Sequence, residues 1–226
     1  AKDRADLQEL ISDISHQVKT PIANLQMVNA TLLEQPVTEE KRQEFLQASS
    51  GQLEKLDFLM QAMIKTSRLE TGVISLEKKE QPIYDTLAAA LGGILLDAEK
   101  KQIDIQVDCS EHLAACHDRK WTGEALFNIL DNAVKYTPAG GQIRVQVEAW
   151  EMYLKIDIAD TGIGIPEQHQ GTIFKRFYRE DAVHDVDGIG IGLYLTREII
   201  SLQGGYIRVA SEVGKGSVFS VFLLRK

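Results

Sequence analysis

Over the first ~70 residues the apolar positions recur at mixed three- and four-residue steps, the period of an α-helix. Leu7, Ile11, Ile14, Val18, Ile22, Leu25, Val28 and Leu32 form one stripe, and Leu53, Leu56, Met60 and Met63 continue it in a second segment. The mean step is close to ~3.5 residues, the spacing of a bundle seam. Between the segments, Pro36 ends the first helix, Thr38 can cap the second, and Glu39 and Glu40 suit its positive end. The pattern predicts a long helical hairpin. Two helices cannot cover their own stripes, so burial against a second copy is expected, giving a homodimer with a four-helix bundle.

From Thr71 and Gly72 onward the glycines multiply and the period changes. Residues 103–107, 143–147 and 154–158 alternate apolar and polar, as half-buried strands do. Helical spacing falls near 83–100, 118–136 and 192–203, and a last pair of strands fits 205–211 and 217–224. The expected organisation is α+β: a helical hairpin over 1–72, then a mixed α/β layer over 73–226.

The formal charge, from 25 Lys+Arg and 33 Asp+Glu, is −8, against the clustered basic charge that phosphate backbones require, so nucleic acid is not an expected partner. The longest apolar run, Leu87 to Leu96, is about half the ~20 residues that span a bilayer. The chain begins at Ala1 without an initiator methionine, which fits a fragment, so any membrane anchor is expected in segments absent from it. Cys109 and Cys116 are the two cysteines and give no disulfide framework, in keeping with a reducing cytoplasm. With His112 and His117 they form a loose cluster, but its spacing matches no paired zinc pattern, and a loop leading into the next helix accounts for it. Asp118 reads as that helix's cap.

In the first helix His16 lies two positions from both Ile14 and Val18, so at ~100° per residue it points away from the apolar stripe. Pro21 follows within the same helix and removes the bond its N–H would make to the carbonyl of Gln17. A kink beside an outward histidine suggests a partner that approaches the imidazole, whose neutral nitrogen is a good nucleophile near pH 7. On the helix near 118–136, Glu124, Asn128, Asn132 and Lys135 form a polar stripe beside an apolar one of Ala125, Ile129 and Ala133. Asn carbonyls can serve Mg²⁺, which takes oxygen ligands, and the lysine adds a point charge. Glycine-rich turns at 160–164 and 188–193 let backbone approach a ligand, and the second opens a helix whose free N–H groups suit phosphate.

Residues 14–21 resemble the H-box of sensor histidine kinases, 128–136 the N-box, 160–164 the G1 box, 174–179 the F-box, 188–193 the G2 box and 214–219 the final glycine motif. They occur in the family's order and cover nearly the whole chain. The resemblance implies a gyrase-type (Bergerat) ATP-binding fold after the hairpin, and a histidine kinase that is also a response-regulator phosphatase. In that family the histidine matching His16 takes the γ-phosphoryl group of ATP and gives it to an aspartate on a response regulator receiver domain. Thr20 matches the position implicated in dephosphorylating the regulator. By the same matching, Asn128 and Asn132 hold Mg²⁺, Lys135 and Tyr136 contact phosphate or sugar, and Asp160 accepts the adenine amino group. Gly162 and Gly164 shape the adenine pocket, Gly188, Gly190 and Gly192 bracket the phosphates, and 180–187 form a lid. Arg179 is the candidate cation for the transferred charge, while Phe174 and Phe177 read as packing anchors.

One position departs from the family. Most such kinases carry Glu or Asp after the histidine, where this chain has Gln17, an amide that can orient a ring N–H but cannot take its proton. Solvent or Asp13 is then expected to do the proton work. Two further readings stay open from the residues: a nucleotide-bound regulatory scaffold, and a soluble ATPase. Against the ATPase, the glutamate that activates water in gyrase-type enzymes is replaced by Asn128.

Overall fold

The computed structural model describes residues 2–72, 75–179 and 188–225, with the side chains of all but 2–10, 13 and 70. The chain divides into two compact units, residues 1–70 and 71–226. Among the described residues no helix is long and apolar enough to cross a membrane.

The first unit is an antiparallel hairpin of α1 (Lys2–Glu34) and α2 (Glu39–Glu70). Pro36 lies in the connection, and the Thr38 carbonyl accepts the Arg42 N–H at 2.9 Å while its hydroxyl faces the Lys41 N–H at 3.4 Å. α1 runs through Pro21 without ending there. The predicted stripe is only partly covered. Ile14, Val18, Leu25, Val28, Leu32, Leu56 and Met63 are half-buried, whereas Ile11, Ile22, Leu53 and Met60 remain 55%, 40%, 57% and 51% exposed.

The second unit is a helix layer on a sheet. Along the chain come β1 (Lys79–Pro82), α3 (Ile83–Gly92), α4 (Leu95–Lys100), β2 (Asp104–Asp108), β3 (Ala114–His117) and α5 (Arg119–Tyr136). They are followed by β4 (Gln142–Ala149), β5 (Tyr153–Asp160), a 3₁₀ turn (Glu167–His169), α6 (Gly192–Leu202), β6 (Tyr206–Glu212) and β7 (Gly216–Leu224). The main sheet has the order β2-β4-β5-β7-β6, with β2 parallel to β4 and the other pairs antiparallel; β1 and β3 form a separate antiparallel pair. The period-2 pattern is realised in β5, where Leu154, Ile156 and Ile158 are buried and the residues between them half-buried. α5 packs on α3, α6 and β5 and buries Ala125, Leu126, Ile129, Leu130, Ala133 and Val134. At about 1.5–3 kcal/mol per large apolar side chain, this face alone anchors the helix firmly.

Two expectations are corrected. The helix predicted over 83–100 is broken into α3 and α4 at the glycine pair 92–93, which weakens helix propensity, and only glycine fits at 93 because a Cβ there would stand 2.8 Å from the Phe127 ring. The loop expected around Cys116 is instead the strand β3, which pairs with the polar β1 in a register from Lys79 opposite His117 to Pro82 opposite Ala114. Four residues, one of them proline, are too few to display a strand period.

β3 delivers His117 into the interior. The ring is fully buried; Nε2 faces the Thr86 hydroxyl at 2.9 Å and Nδ1 the Ala115 carbonyl at 3.0 Å. A carbonyl only accepts, so Nδ1 carries the proton and Nε2 accepts from Thr86. Both nitrogens are thus engaged, and no group of three or more metal-binding side chains occurs among the described residues. The next residue caps α5 as expected: Asp118 Oδ1 accepts the Trp121 N–H at 3.1 Å, and Oδ2 accepts the Glu77 N–H at 2.8 Å. Gln203 on α6's end closes the same corner, its Oε1 accepting the Asp118 N–H at 2.7 Å.

Burial pushes the His117 imidazole below its ordinary value. In the unfolded chain the group titrates near pH 6.5, so its contribution is complete above about that pH and is lost as acid protonates the unfolded state first. In urea unfolding at pH 7.5, His117→Gln is expected to cost about 1–3 kcal/mol. The gap between parent and variant should narrow steadily as the pH is lowered below 6.5; a gap independent of pH would refute the assignment.

Candidate functional site

α5 carries the polar stripe because its apolar stripe is buried. Glu124, Asn128, Asp131, Asn132, Lys135 and Tyr136 are all half-buried. The amide of Asn128 has a fixed orientation: Nδ2 donates to the carbonyl of Gly192 at 3.3 Å. A carbonyl partner can be met only by the NH₂ side, so the oxygen of Asn128 is turned away and left to serve a cation or a water. The same Gly192 carbonyl accepts from the Thr196 hydroxyl at 2.9 Å, and Thr196 also reaches the Ala125 carbonyl at 3.3 Å. The start of α6 is therefore stitched to the middle of α5. The Lys135 ammonium lies 2.6 Å from Asp131 Oδ2, one turn back, with both side chains about one-third exposed. Asp131 had no assigned part in the sequence reading; its i,i+4 spacing to Lys135 was the available signal.

At the end of β5 the chain turns through Thr161, Gly162, Ile163 and Gly164. Asp160 is half-buried, and its Oδ1 accepts the Gly162 N–H at 2.8 Å and the Ser217 N–H at 3.3 Å. Burial raises its carboxyl above the ordinary range, partly countered by the bonds from Gly162 and Ser217. Both bonds fall on one oxygen, which orients the other. Gly162 is required sterically: a Cβ there would stand 2.6 Å from Asp160 Oδ1 and 2.7 Å from the Tyr136 carbonyl. Gly164, at φ +73°, lies against the Glu212 carbonyl, where any side chain would collide. Ser211 and Gln170, which the sequence did not single out, brace the exit of this turn. Ser211 Oγ accepts the Ile165 N–H at 2.7 Å, and Gln170 Nε2 donates to the carbonyls of Ile165 at 3.1 Å and Ser211 at 2.8 Å.

Phe174 is buried and meets Phe219 edge-on at 6.4 Å between ring centres, as a packing anchor should. Phe177 is half-buried at φ 57°, and Arg179, also half-buried, ends this described stretch. Gly188 is exposed, and Gly190 sits against the backbone of Phe177 and Tyr178. The lid over 180–187 lies outside the described residues.

Asn128, Asp160, Gly162, Gly190 and Gly192 are thereby connected through α5, α6 and the β5 turn, all within the second unit. Carbonyl oxygen from an amide, an oriented carboxylate and tightly approached glycine backbone fit a nucleotide carrying a hard cation. In the first unit His16 is exposed on α1, as its position off the stripe required; Thr20, one turn on, is exposed as well, and Gln17 is half-buried. The Asp13 side chain lies outside the described residues.

Comparison with known proteins assigns both units. Residues 6–72 match the His Kinase A (phospho-acceptor) domain, and residues 117–226 match the histidine kinase-, DNA gyrase B- and HSP90-like ATPase family. Drug sensory protein A of Synechocystis sp. is 31% identical over 93% of this chain and 34% of its own length. Sensor protein SrrB of Staphylococcus aureus is 31% identical over 96% of this chain and 38% of its own. The chain thus spans about a third of the length of these curated relatives. The fold is shared with the Acinetobacter baumannii histidine kinase AdeS, at 20% identity and a TM-score of 0.76, covering 93% of this chain and 98% of that one. It is shared also with the histidine kinase ThkA, solved in complex with the response regulator protein TrrA, at 20% identity and a TM-score of 0.81, covering 100% of this chain and 64% of that one. A phospho-acceptor match over the hairpin followed by an ATPase-type match covers most of this chain, and the chain belongs to the sensor histidine kinases.

Proposed function

We propose that the chain is the cytoplasmic signalling portion of a longer protein, in which ATP held by residues 73–226 phosphorylates His16 on the hairpin of residues 1–72. The observation that carries this reading is the outward imidazole of His16, on a helix whose apolar positions point elsewhere. A neutral ring nitrogen attacks the γ-phosphorus, ADP leaves, and the ring loses its proton. The half-buried Gln17 amide orients the ring without accepting that proton, which passes to water or to Asp13. The phosphoryl group then moves to an aspartate on a response regulator receiver domain, the class of partner with which ThkA was solved. Thr20, exposed on the same face as His16, is assigned to positioning the water that removes phosphate from that regulator.

In the nucleotide site the carbonyl oxygens of Asn128 and Asn132 hold Mg²⁺, which neutralises charge on the phosphates. Lys135 and Tyr136 contact phosphate or sugar, Arg179 faces the transferred charge, and Gly188, Gly190 and Gly192 bring backbone to the phosphates. Asp160 accepts the adenine amino group with its outer oxygen, in a pocket shaped by Gly162 and Gly164. The working unit is a homodimer. Ile11, Ile22, Leu53 and Met60 are left open by a single hairpin, and covering such side chains is worth about 1.5–3 kcal/mol each.

Incubation with γ-labelled ATP tests the kinase reading. Acid-labile label is expected on the parent and absent from His16→Ala. Tight nucleotide binding without label would mark a regulatory scaffold, and steady phosphate release an ATPase. Gln17→Glu, which restores a proton acceptor, is expected to raise the initial labelling rate about a hundredfold, the low end of the usual range for general bases; an unchanged rate would mean that proton removal does not limit transfer.

Asp160→Asn tests the adenine pocket. The two backbone N–H groups that meet Oδ1 would hold the amide's oxygen, turning its NH₂ toward the adenine amino group, donor against donor. Calorimetry should show nucleotide affinity reduced about tenfold to a hundredfold, the cost of an unmade buried hydrogen bond. Because the parent carboxyl is raised and must be ionised to accept, affinity should fall as the pH descends toward and through that raised value, whereas Asp160→Asn should lack this step.

A further inference from the structure

An α-helix leaves its last carbonyls without intrahelical partners. At the end of α5 all of them are used. The Thr137 N–H bonds the Ala133 carbonyl at 3.1 Å. The carbonyls of Val134, Lys135 and Thr137 accept three bonds from the ammonium of Lys101, at 2.8, 2.8 and 3.2 Å. The carbonyl left over, that of Tyr136, accepts the Ile163 N–H at 3.3 Å, from the turn that carries Gly162. Three bonds are the whole donor capacity of a lysine, and a cation at a helix C-terminus also meets the negative end of the dipole.

The ammonium is delivered by a fixed backbone. Lys101 follows α4, and the chain reverses at Gln102, whose φ is 54°. Bonds from Gln102 N to the Glu99 carbonyl and from Ile103 N to the Ala98 carbonyl, both 2.9 Å, close the reversal. The Lys101 carbonyl accepts the Gly140 N–H at 2.9 Å, tying the same residue to the loop that leaves α5. Lys101 is half-buried and distant in sequence from every residue assigned to the site.

We propose that Lys101 is a positioning residue for nucleotide binding. By occupying three of the four carbonyls from 134 to 137, its ammonium holds the backbone of Lys135 and Tyr136 in place and leaves the Tyr136 carbonyl for Ile163. The phosphate-facing end of α5 is thereby held at a fixed spacing from the turn that carries the adenine carboxylate, Asp160. The proposal rests on the reading of this site as an ATP site.

The test uses the full chain and the non-hydrolysable analogue AMP-PNP with Mg²⁺, titrated by calorimetry. Lys101→Met is expected to bind about tenfold more weakly than the parent, with faster amide exchange confined to Tyr136, Thr137 and Ile163. Lys101→Arg, whose guanidinium reaches the same acceptors, should bind within about twofold of the parent. Lys101→Ala is the second variant should the methionine protein fail to fold: ammonium ion can take the place of the lost head group, so affinity should recover in ammonium chloride and not in sodium chloride. Equal affinity of Lys101→Ala in the two salts, or Lys101→Met binding as tightly as the parent, overturns the proposal and leaves the site reading intact. A parent that binds no nucleotide overturns both.

Discussion

α5 has to satisfy two incompatible surroundings at once, and the second unit is arranged around that constraint. One side is sealed against α3, α6 and the sheet through Ala125, Leu126, Ile129, Leu130, Ala133 and Val134, while the other keeps two asparagines and a lysine half in water. Such a helix has little freedom to rotate, because a turn of one residue would bury an amide without a partner and expose a large apolar side chain. Its ends are held just as firmly, by Asp118 at the start and Lys101 at the finish. Chemistry on the wet side therefore inherits its geometry from packing on the dry side.

The same coupling extends to α6 and to the turn after β5. Asn128 cannot swing its amide without leaving the Gly192 carbonyl, and Gly192 is the first residue of α6. Asp160 cannot shift without releasing the N–H groups of Gly162, in the turn after β5, and of Ser217, near the start of the neighbouring strand β7. The proposed nucleotide site is thus distributed over α5, α6, β5 and β7, and Asn128 and Asp160 are each held by hydrogen bonds that are themselves part of the fold. Glycine is required at 162 and 164 because backbone carbonyls from other segments occupy the space a side chain would need.

The hairpin follows a simpler rule. Its imidazole is available because the apolar stripe points elsewhere, and the stripe is incompletely covered because one hairpin leaves Ile11, Ile22, Leu53 and Met60 exposed. Outward display of His16 and the exposed part of the apolar stripe are consequences of one pattern.

Periodicity determined the two long helices, α5, α6 and the five strands of the main sheet, because each repeats its period, and the proline at 36 with the capping Thr38 marked the break between the helices. It also placed His16 off the stripe and Asp118 at a cap, since both depend on positions within one helix. Tertiary structure decided the rest. β1 and β3 define each other only by pairing, and the approach of the Phe127 ring to Gly93 follows from α5 packing on α3. Neither the orientation of the Asn128 amide nor the capture of three α5 carbonyls by Lys101 could be read from spacing. Their partners lie 64 and 33 to 36 residues away, and only packing of the intervening elements brings those groups within hydrogen-bond reach.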